Sequence, residues 1–239
     1  MLPVTAAMTP QETPAKAIAA YDVRDEVRAI RASMQNAEHP LTLLVSGVHG
    51  IGKTTLSHEL SRRLGVRQYV GLGTIVKTLI EFDVPSDTPG GTGTMDNVVD
   101  LEDPAAQLDA QARVICRVVD RLVRTYHAQG VHCLVEGVQL LPKYLHLPEG
   151  AIHLHLAISG FDAYIRQVRE VNPHKYGPIT EARVSTLAAL DRALCAEMQA
   201  SAQVVILPHR QPIPALVCDA VRAIYNRTQG GTDTCSGRK

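Results

Sequence analysis

The residues most capable of chemistry form one short run. Residues 47–54 read GVHGIGKT and match the phosphate-binding pattern G-x-x-x-x-G-K-[ST]. Glycines let such a loop curl around a phosphate with backbone N–H groups pointing inward, and the next helix adds the positive end of its dipole. Lys53 would reach the β- and γ-phosphates, and Thr54 would ligate Mg²⁺. The predicted ATP-binding residues here are Gly47, His49, Gly50, Ile51, Gly52, Lys53, Thr54 and Thr55, the last donating to the α-phosphate.

A carboxylate after a later apolar strand is the second candidate. P-loop proteins need such a group to hold the hydration shell of Mg²⁺. Glu136 directly follows the apolar run HCLV, and ligands bind at the carboxyl ends of parallel strands. We therefore predict that Glu136 partners the metal or the phosphoryl acceptor; the alternative is that it caps a turn.

Cations that could close over the phosphates lie on a helix further along the chain. Arg166 and Arg169 are three residues apart, and His174 and Lys175 follow them. Guanidinium groups there would stabilise the charge of a transferring phosphoryl group, so both arginines are predicted to be catalytic. The alternative is a solvated helix face, which is favoured for a second stripe formed by Arg113, Arg117, Arg121 and Arg124.

The nucleotide base must be held with few aromatic rings, because aromatic residues make up 4% of the chain and Trp is absent. Arginine and aliphatic surfaces can take the place of ring stacking. We predict an adenine clamp from Arg166 on one side and from His209 and Arg210, in the turn after the last strand, on the other.

Two other groups of polar residues have weaker claims to a function. His153 and His155 alternate on one strand, a spacing that can bind metal but is more typical of packed or hydrogen-bonded core histidines. The acids between residues 83 and 103 could supply a general base, although a solvated loop is the simpler interpretation; they include Asp96, Asp100, Glu102 and Asp103.

The composition excludes several classes of protein. The 239 residues carry 24 Lys+Arg against 24 Asp+Glu, and a generic nucleic-acid binder normally shows a basic excess. The five cysteines are widely spaced without a C-x-x-C pair, which argues against a disulfide framework or a zinc site. No signal peptide and no membrane span are evident, so a cytoplasmic protein is expected, with a homodimer possible.

The elements that must position these residues alternate between strand and helix. Apolar runs predict strands at 41–46, 67–70, 131–135, 151–158 and 203–207. Helical patterns cover 15–37, 53–64, 74–82, 104–128, 161–171, 180–200 and 214–227. This order predicts a three-layer α/β P-loop fold with a five-stranded parallel sheet flanked by helices. We expect a loosely ordered segment at 1–14, one domain at 15–227 and a flexible tail at 228–239.

Two segments resemble a known family. The stretch LTLLVSGVHGIGKTTLSHELSRRLGV resembles the start of 2-phosphoglycerate kinases and related small-molecule P-loop kinases. Residues 134–142, LVEGVQLLP, are similar to the EGVHLLP stretch of that family, with Gln139 where His is usual. The resemblance covers about residues 41–210 and implies a kinase that uses ATP and Mg²⁺ on a small-molecule acceptor.

The chain departs from the family after the second strand. There the family carries a pattern like S-T-D-x-I-R-E-x-x-R, whose Asp and Arg suit a phosphorylated acceptor. This sequence has Gly73 for the Asp, and Val76 and Ile80 for the two arginines. A dianionic acceptor normally needs bidentate arginine partners, so a different acceptor is expected. The predicted acceptor-binding residues are Thr74, Lys77, Asp96 and Glu136.

These observations predict transfer of the γ-phosphoryl group of ATP to a hydroxyl or acid group of a small molecule. Two alternatives stay open: a P-loop ATPase or nucleotide switch acting on a protein partner, and a nucleotide-binding module without catalysis. The switch would need a positioned attacking water and a partner surface, and the sequence shows no evident signature of either.

Overall fold

The computed structural model describes residues 22–36, 39–81, 103–171, 180–209 and 212–230. Several predicted features lie outside these ranges, and their predictions stay predictions: the segment 1–14, most of the 83–103 loop with Asp96, the pair His174 and Lys175, and Arg210.

Helices and strands alternate in the predicted order. Helix α1 (Arg24–Asn36) precedes β1 (Thr42–Gly47), and α2 (Lys53–Leu64) leads to β2 (Gln68–Gly71) and α3 (Leu72–Glu81). Then come α4 (Pro104–Ala128), β3 (Cys133–Glu136), β4 (Ile152–Ala157) and α5 (Phe161–Val171). The remaining elements are α6 (Glu181–Gln199), β5 (Val204–Pro208) and α7 (Ile213–Gly230).

The five strands form one sheet in the order β2-β3-β1-β4-β5, and every pair is parallel. This arrangement confirms the predicted sheet. The central strand β1 is buried along its whole length. Because the strands are parallel, their carboxyl ends meet at one edge, where β1 ends at Gly47 and β3 at Glu136.

Successive residues of β1 pack into two different core clusters. Leu43 belongs to the larger cluster with Leu60 of α2, whereas Leu44 belongs to the second with Leu72 of α3 and Val119 of α4. Side chains alternate across a strand, so both faces of the sheet are covered by helices.

Two predicted helix ends are confirmed in detail. Gly65 follows α2 with φ 77° and donates its N–H to the carbonyl of Ser61, as a left-handed C-terminal cap does. Pro104 is the first residue of α4, and the Asp103 carboxylate accepts from the N–H of Ala106 at 3.0 Å.

Three predicted boundaries need correction. The first described helix begins at Arg24; residues 15–21 and 37, which were assigned to it, lie outside the described ranges. Helix α3 begins at Leu72, two residues before the predicted start, because it follows β2 without a turn. Helix α7 continues to Gly230, so residues 228–230 are helical rather than part of a tail. The described helices are all too short or too polar to cross a lipid bilayer.

Candidate nucleotide-binding site

The loop between β1 and α2 has the shape of a phosphate cradle. Gly47, Gly50 and Gly52 all have positive φ, and Gly47 lies so close to β4 that a Cβ there would meet the Leu156 carbonyl oxygen at 2.6 Å. The Lys53 ammonium donates to the Val48 carbonyl at 2.9 Å, so its side chain folds back over the loop. The loop therefore places a cation beside backbone amides that can surround an anion.

Helix α5 supports the loop from one side. Gln167 donates its side-chain N–H to the Gly50 carbonyl at 2.8 Å, and the Tyr164 hydroxyl donates to the His49 carbonyl. Val168 packs so closely on Gly50 that a Cβ there would lie 2.6 Å from its Cγ2. These contacts fix the loop through its backbone, whatever side chains its variable positions carry.

A group that we call the carboxylate cluster, Thr54, Tyr69 and Glu136, joins the loop to β3. The Thr54 hydroxyl donates to Glu136 Oε1 at 2.9 Å, and the Tyr69 hydroxyl donates to the same oxygen at 2.8 Å. Glu136 is 9% exposed, and its other oxygen, Oε2, is buried without a hydrogen-bond partner among the described residues. A threonine hydroxyl and an unpartnered carboxylate oxygen are hard donors of the kind that suit Mg²⁺.

Tyr69 is a site residue that sequence reasoning missed. It lies on β2, and the pairing of Gly71 with Glu136 brings its side chain to the end of β3. Burial raises the pKa of Tyr69 above its usual value, and the hydrogen bond to Glu136 raises it further, so the phenol remains a donor. A lone tyrosine on a short strand carries no motif; only the strand pairing reveals its partner.

A second group, the histidine cluster, consists of Ser46, His153 and His155. The Ser46 hydroxyl lies 2.7 Å from His153 Nε2 and 2.8 Å from His155 Nδ1. Burial lowers the pKa of His153 to about 3, and burial with the nearby Lys53 charge lowers that of His155 to about 4. The interpretation of these histidines as hydrogen-bonded core residues is confirmed.

The predicted lid arginines are not brought onto the loop in this structure. Arg166 and Arg169 are exposed on α5, whose loop-facing side carries Tyr164, Gln167 and Val168. Their catalytic role stays a prediction.

The predicted adenine contact of His209 needs correction. His209 is 3% exposed, and its Nε2 lies 2.8 Å from the side-chain oxygen of Gln167. A ring enclosed in this way has no free face for a base to stack on. It instead supports Gln167, which holds the loop at Gly50.

The other predicted site residues fall into two places. In the loop, Ile51 is buried, His49 is half-buried and Thr55 is exposed at the start of α2. On the acceptor side, Thr74 is exposed on α3, and its carbonyl accepts from the Thr78 hydroxyl at 3.0 Å. Lys77 belongs to the same helix, but its side chain is outside the described part.

The fold and this loop define a P-loop protein of the three-layer α/β class. Among solved structures, shikimate kinase from Acinetobacter baumannii in complex with shikimate matches with a TM-score of 0.52 and 14% identity, over 85% of this chain and 98% of that one. An unliganded sugar kinase from Janibacter sp. matches with a TM-score of 0.51 and 17% identity, over 77% of this chain and 94% of that one. At these identities the likeness shows the fold.

Sequence comparison finds 2-phosphoglycerate kinases. The one from Pyrococcus furiosus is 23% identical over 133 residues, which cover 50% of this chain and 42% of the relative. The one from Thermococcus kodakarensis is 25% identical over 137 residues, which cover 54% and 47%. No protein-family model matches the chain. The similarity to 2-phosphoglycerate kinases is thus confirmed, and the chain spans about half the length of these relatives.

Proposed function

We propose that this protein is a small-molecule kinase that transfers the γ-phosphoryl group of ATP to a hydroxyl or acid group of its acceptor. The observation that carries the proposal is the 2.9 Å hydrogen bond between Thr54 and Glu136, beside a buried Glu136 oxygen without a partner among the described residues. It joins the phosphate-binding loop to a carboxylate at the sheet edge where P-loop proteins react. The similarity to 2-phosphoglycerate kinases supports phosphoryl transfer from ATP.

The nucleotide is held mainly by the loop in this proposal. Backbone N–H groups from Gly47 to Thr55 surround the phosphates, and the Lys53 ammonium leaves the Val48 carbonyl to bind the β- and γ-phosphates. Thr54 and Glu136 would hold Mg²⁺, directly or through its water; when bound, Mg²⁺ neutralises charge on the phosphates. Tyr69 holds Glu136 through Oε1, which leaves Oε2 for the metal or its water.

The acceptor differs from 2-phosphoglycerate in this proposal. Val76, which stands where the family pattern has its first arginine, is buried in the second core cluster with Leu72. A buried valine offers nothing to a phosphate, so we infer an acceptor with less negative charge. Thr74, Lys77 and Asp96 are the residues proposed to contact it, with Glu136 at the reacting end.

The wider context of the reaction is also proposed. A small molecule, rather than a nucleic acid or a membrane, is the partner, and the cytoplasm is the setting. Homodimer formation stays a prediction.

The experiment is an ADP-release screen with ATP·Mg²⁺ over hydroxy acids, phosphorylated acids, sugars and nucleosides. We expect ADP release that depends on one acceptor class and that Lys53→Ala abolishes. The matched control is Arg62→Ala, which removes an exposed cation on the same helix and leaves the loop unchanged.

Three outcomes would contradict the proposal. Rapid ADP release without any acceptor would indicate an ATPase or switch. Tight ATP binding without product across the whole panel would indicate a binding module. Full transfer by the Lys53→Ala variant would exclude the mechanism.

A further inference from the structure

A second group of potential metal ligands lies on the sheet face that carries the Ser46 side chain. It consists of His155 on β4 with Asp191 and Cys195 on α6, and we call it the ligand triad. His155 Nε2 lies 3.8 Å from Cys195 Sγ, which lies 4.0 Å from Asp191 Oδ2, and all three ligand atoms are within 4.8 Å of one another. We propose that the ligand triad binds one Zn²⁺ ion, separate from the proposed Mg²⁺ position.

The donor atoms favour Zn²⁺ over Mg²⁺. Imidazole nitrogen, carboxylate oxygen and thiolate sulfur together form a set that zinc accepts and magnesium does not. Tetrahedral bonds of about 2.0–2.3 Å place neighbouring ligand atoms roughly 3.3–3.8 Å apart. The two distances to Cys195 Sγ, 3.8 and 4.0 Å, therefore need to shorten by a few tenths of an ångström, and the separation of His155 from Asp191, which is at most 4.8 Å, by up to about 1.5 Å. Rotation of the Asp191 and Cys195 side chains can supply these changes.

The backbone brings the three ligands together without a sequence motif. Asp191 and Cys195 are four residues apart on α6, so both lie on one face of that helix. That face meets the end of β4, where the N–H of Ile158 donates to the Asp191 carboxylate. His155 lies two residues before the end of the same strand, in register with Ser46 of β1.

The charge of Asp191 also calls for a cation. Asp191 is 6% exposed, and no salt bridge reaches it within the described ranges. A buried carboxylate without an ion-pair partner is costly, and the N–H of Ile158 and the charge of neighbouring Arg192 offset only part of that cost.

The histidine cluster behind the triad fixes His155 in the form that a metal requires. Metal-binding histidines usually donate their other ring N–H to an acceptor. If His155 donates Nδ1–H to the Ser46 hydroxyl, and Ser46 donates to His153 Nε2, each atom of the chain is satisfied. That polarity leaves the lone pair of His155 Nε2 pointing at Cys195. Ser46 and His153 are thus positioning residues.

Metal binding has a defined proton balance. Zinc takes the thiolate form of Cys195, so the thiol proton is released to solvent when the zinc–sulfur bond forms, while neutral His155 and ionised Asp191 bind without further change. Oxidation and reduction play no part. The ion would join β4 to α6 and strengthen the contact between them.

The test uses the full chain without an affinity tag, treated with chelator and titrated with Zn²⁺ against a competing indicator, without nucleotide or acceptor. We expect one tightly bound ion and a higher melting temperature. Asp191→Asn and Cys195→Ser should each weaken binding by at least about tenfold, and Ser46→Ala by a smaller factor. Cys218→Ala, which alters a buried cysteine of α7, is the matched control and should bind as the wild type does.

A cobalt titration shows which cysteine supplies the sulfur. Co²⁺ bound by the triad should give a thiolate charge-transfer band that Cys195→Ser removes and Cys218→Ala keeps. The proposal would be overturned if the Co²⁺ charge-transfer band were absent, if no Zn²⁺ bound tightly, or if Cys195→Ser bound Zn²⁺ as tightly as the wild type. The three residues would then form only a chain of hydrogen bonds. These readouts need no catalysis, so they stand or fall separately from the proposed kinase activity.

Discussion

The carboxylate cluster and the histidine cluster flank the same end of β1, and they differ in how their polar atoms are satisfied. In the histidine cluster, Ser46 bridges two ring nitrogens, and the chain of hydrogen bonds is closed. In the carboxylate cluster, two donors share Glu136 Oε1 while Oε2 has no partner in the described part of the chain. Buried polar atoms are normally paired, and in the proposed function Mg²⁺ or its water would be the partner of Oε2.

This difference has an energetic meaning. A closed network of buried hydrogen bonds contributes to stability, whereas an unpaired buried carboxylate oxygen reduces it until a cation or donor arrives. The histidine cluster should therefore matter most for folding, and the carboxylate cluster most for phosphoryl transfer.

The largest effect is expected from Glu136→Gln, which removes the charge and keeps the shape. Loss of charge stabilisation at a metal-assisted step of about 3–4 kcal/mol should lower the rate of phosphoryl transfer roughly 100- to 1,000-fold. The melting temperature should hold or rise, because a buried carboxylate is removed. Steady-state kinetics and thermal melts on one preparation check both, with surface Glu59→Gln as control. If Glu136→Gln lowered stability as much as activity, the two clusters would not differ in the way we propose.

Acidification should lower the folding stability of the protein through the histidine cluster. The folded-state pKa values of His153 and His155, about 3 and about 4, lie below the unfolded value of 6.5. The unfolded chain therefore binds more protons below pH 6.5, and stability is present above that pH and lost as pH falls toward 4. Between about pH 5.5 and 5 the pair alone should cost up to about 2.7 kcal/mol per pH unit, and less nearer pH 6.5. Urea unfolding at pH 7, 6 and 5 measures it; a slope unchanged in a His153→Gln, His155→Gln variant would assign the protons elsewhere.

A third test separates the contribution of the loop to ATP binding from the contributions of the two clusters. Gly50 has φ 71°, and a Cβ there would clash with Val168, so Gly50→Ala should distort the cradle. We expect ATP affinity to fall by about tenfold or more, since left-handed backbone alone costs about 1–2 kcal/mol. Gly73→Ala, where a Cβ meets nothing within 4 Å, is the control for isothermal titration with ATP. Adding Val168→Ala should restore the part of the affinity that is due to the clash; no recovery would mean that φ strain accounts for all of it.

The smallest effect is expected from Tyr69→Phe, which removes one of the two donors to Glu136. A net hydrogen bond of about 0.5–1.5 kcal/mol predicts a two- to tenfold lower kcat. Affinity for ATP without Mg²⁺ should change little, because the lost hydroxyl donates to the Glu136 carboxylate and Phe keeps the ring that packs on His58. The matched control is Tyr126→Phe, near the end of α4. A kcat equal to that of wild type would show that Thr54 alone positions Glu136.

The part of this site that could be predicted is the part encoded locally. Loop and helix residues from Gly47 to Leu64 follow one another in the chain, so glycine spacing and apolar periodicity sufficed for them. Glu136 could be placed at the carboxyl edge of the sheet because the end of a strand is itself a sequence feature, and its functional role stays a prediction. The parallel sheet followed from the alternation of strands and helices.

The rest depends on contacts between distant residues. Tyr69 reaches Glu136 only through strand pairing. Cys195 is half-buried and faces His155 because of how α6 packs. The position of His209 after β5 predicts a contact with the adenine, but its ring is buried and lies against the Gln167 side chain. Periodicity gives the face of an element and does not identify its partner across the fold.

Gln167 also has a consequence for how motion spreads through the protein. One end of its amide holds the Gly50 carbonyl, and the other end meets His209 just after β5. Because the amide is planar, its nitrogen and oxygen keep a fixed separation, so a displacement of the loop is passed to His209 for as long as both hydrogen bonds hold. Nucleotide binding should therefore slow the hydrogen exchange of backbone amides around His209, which lies beyond the loop that binds the phosphates.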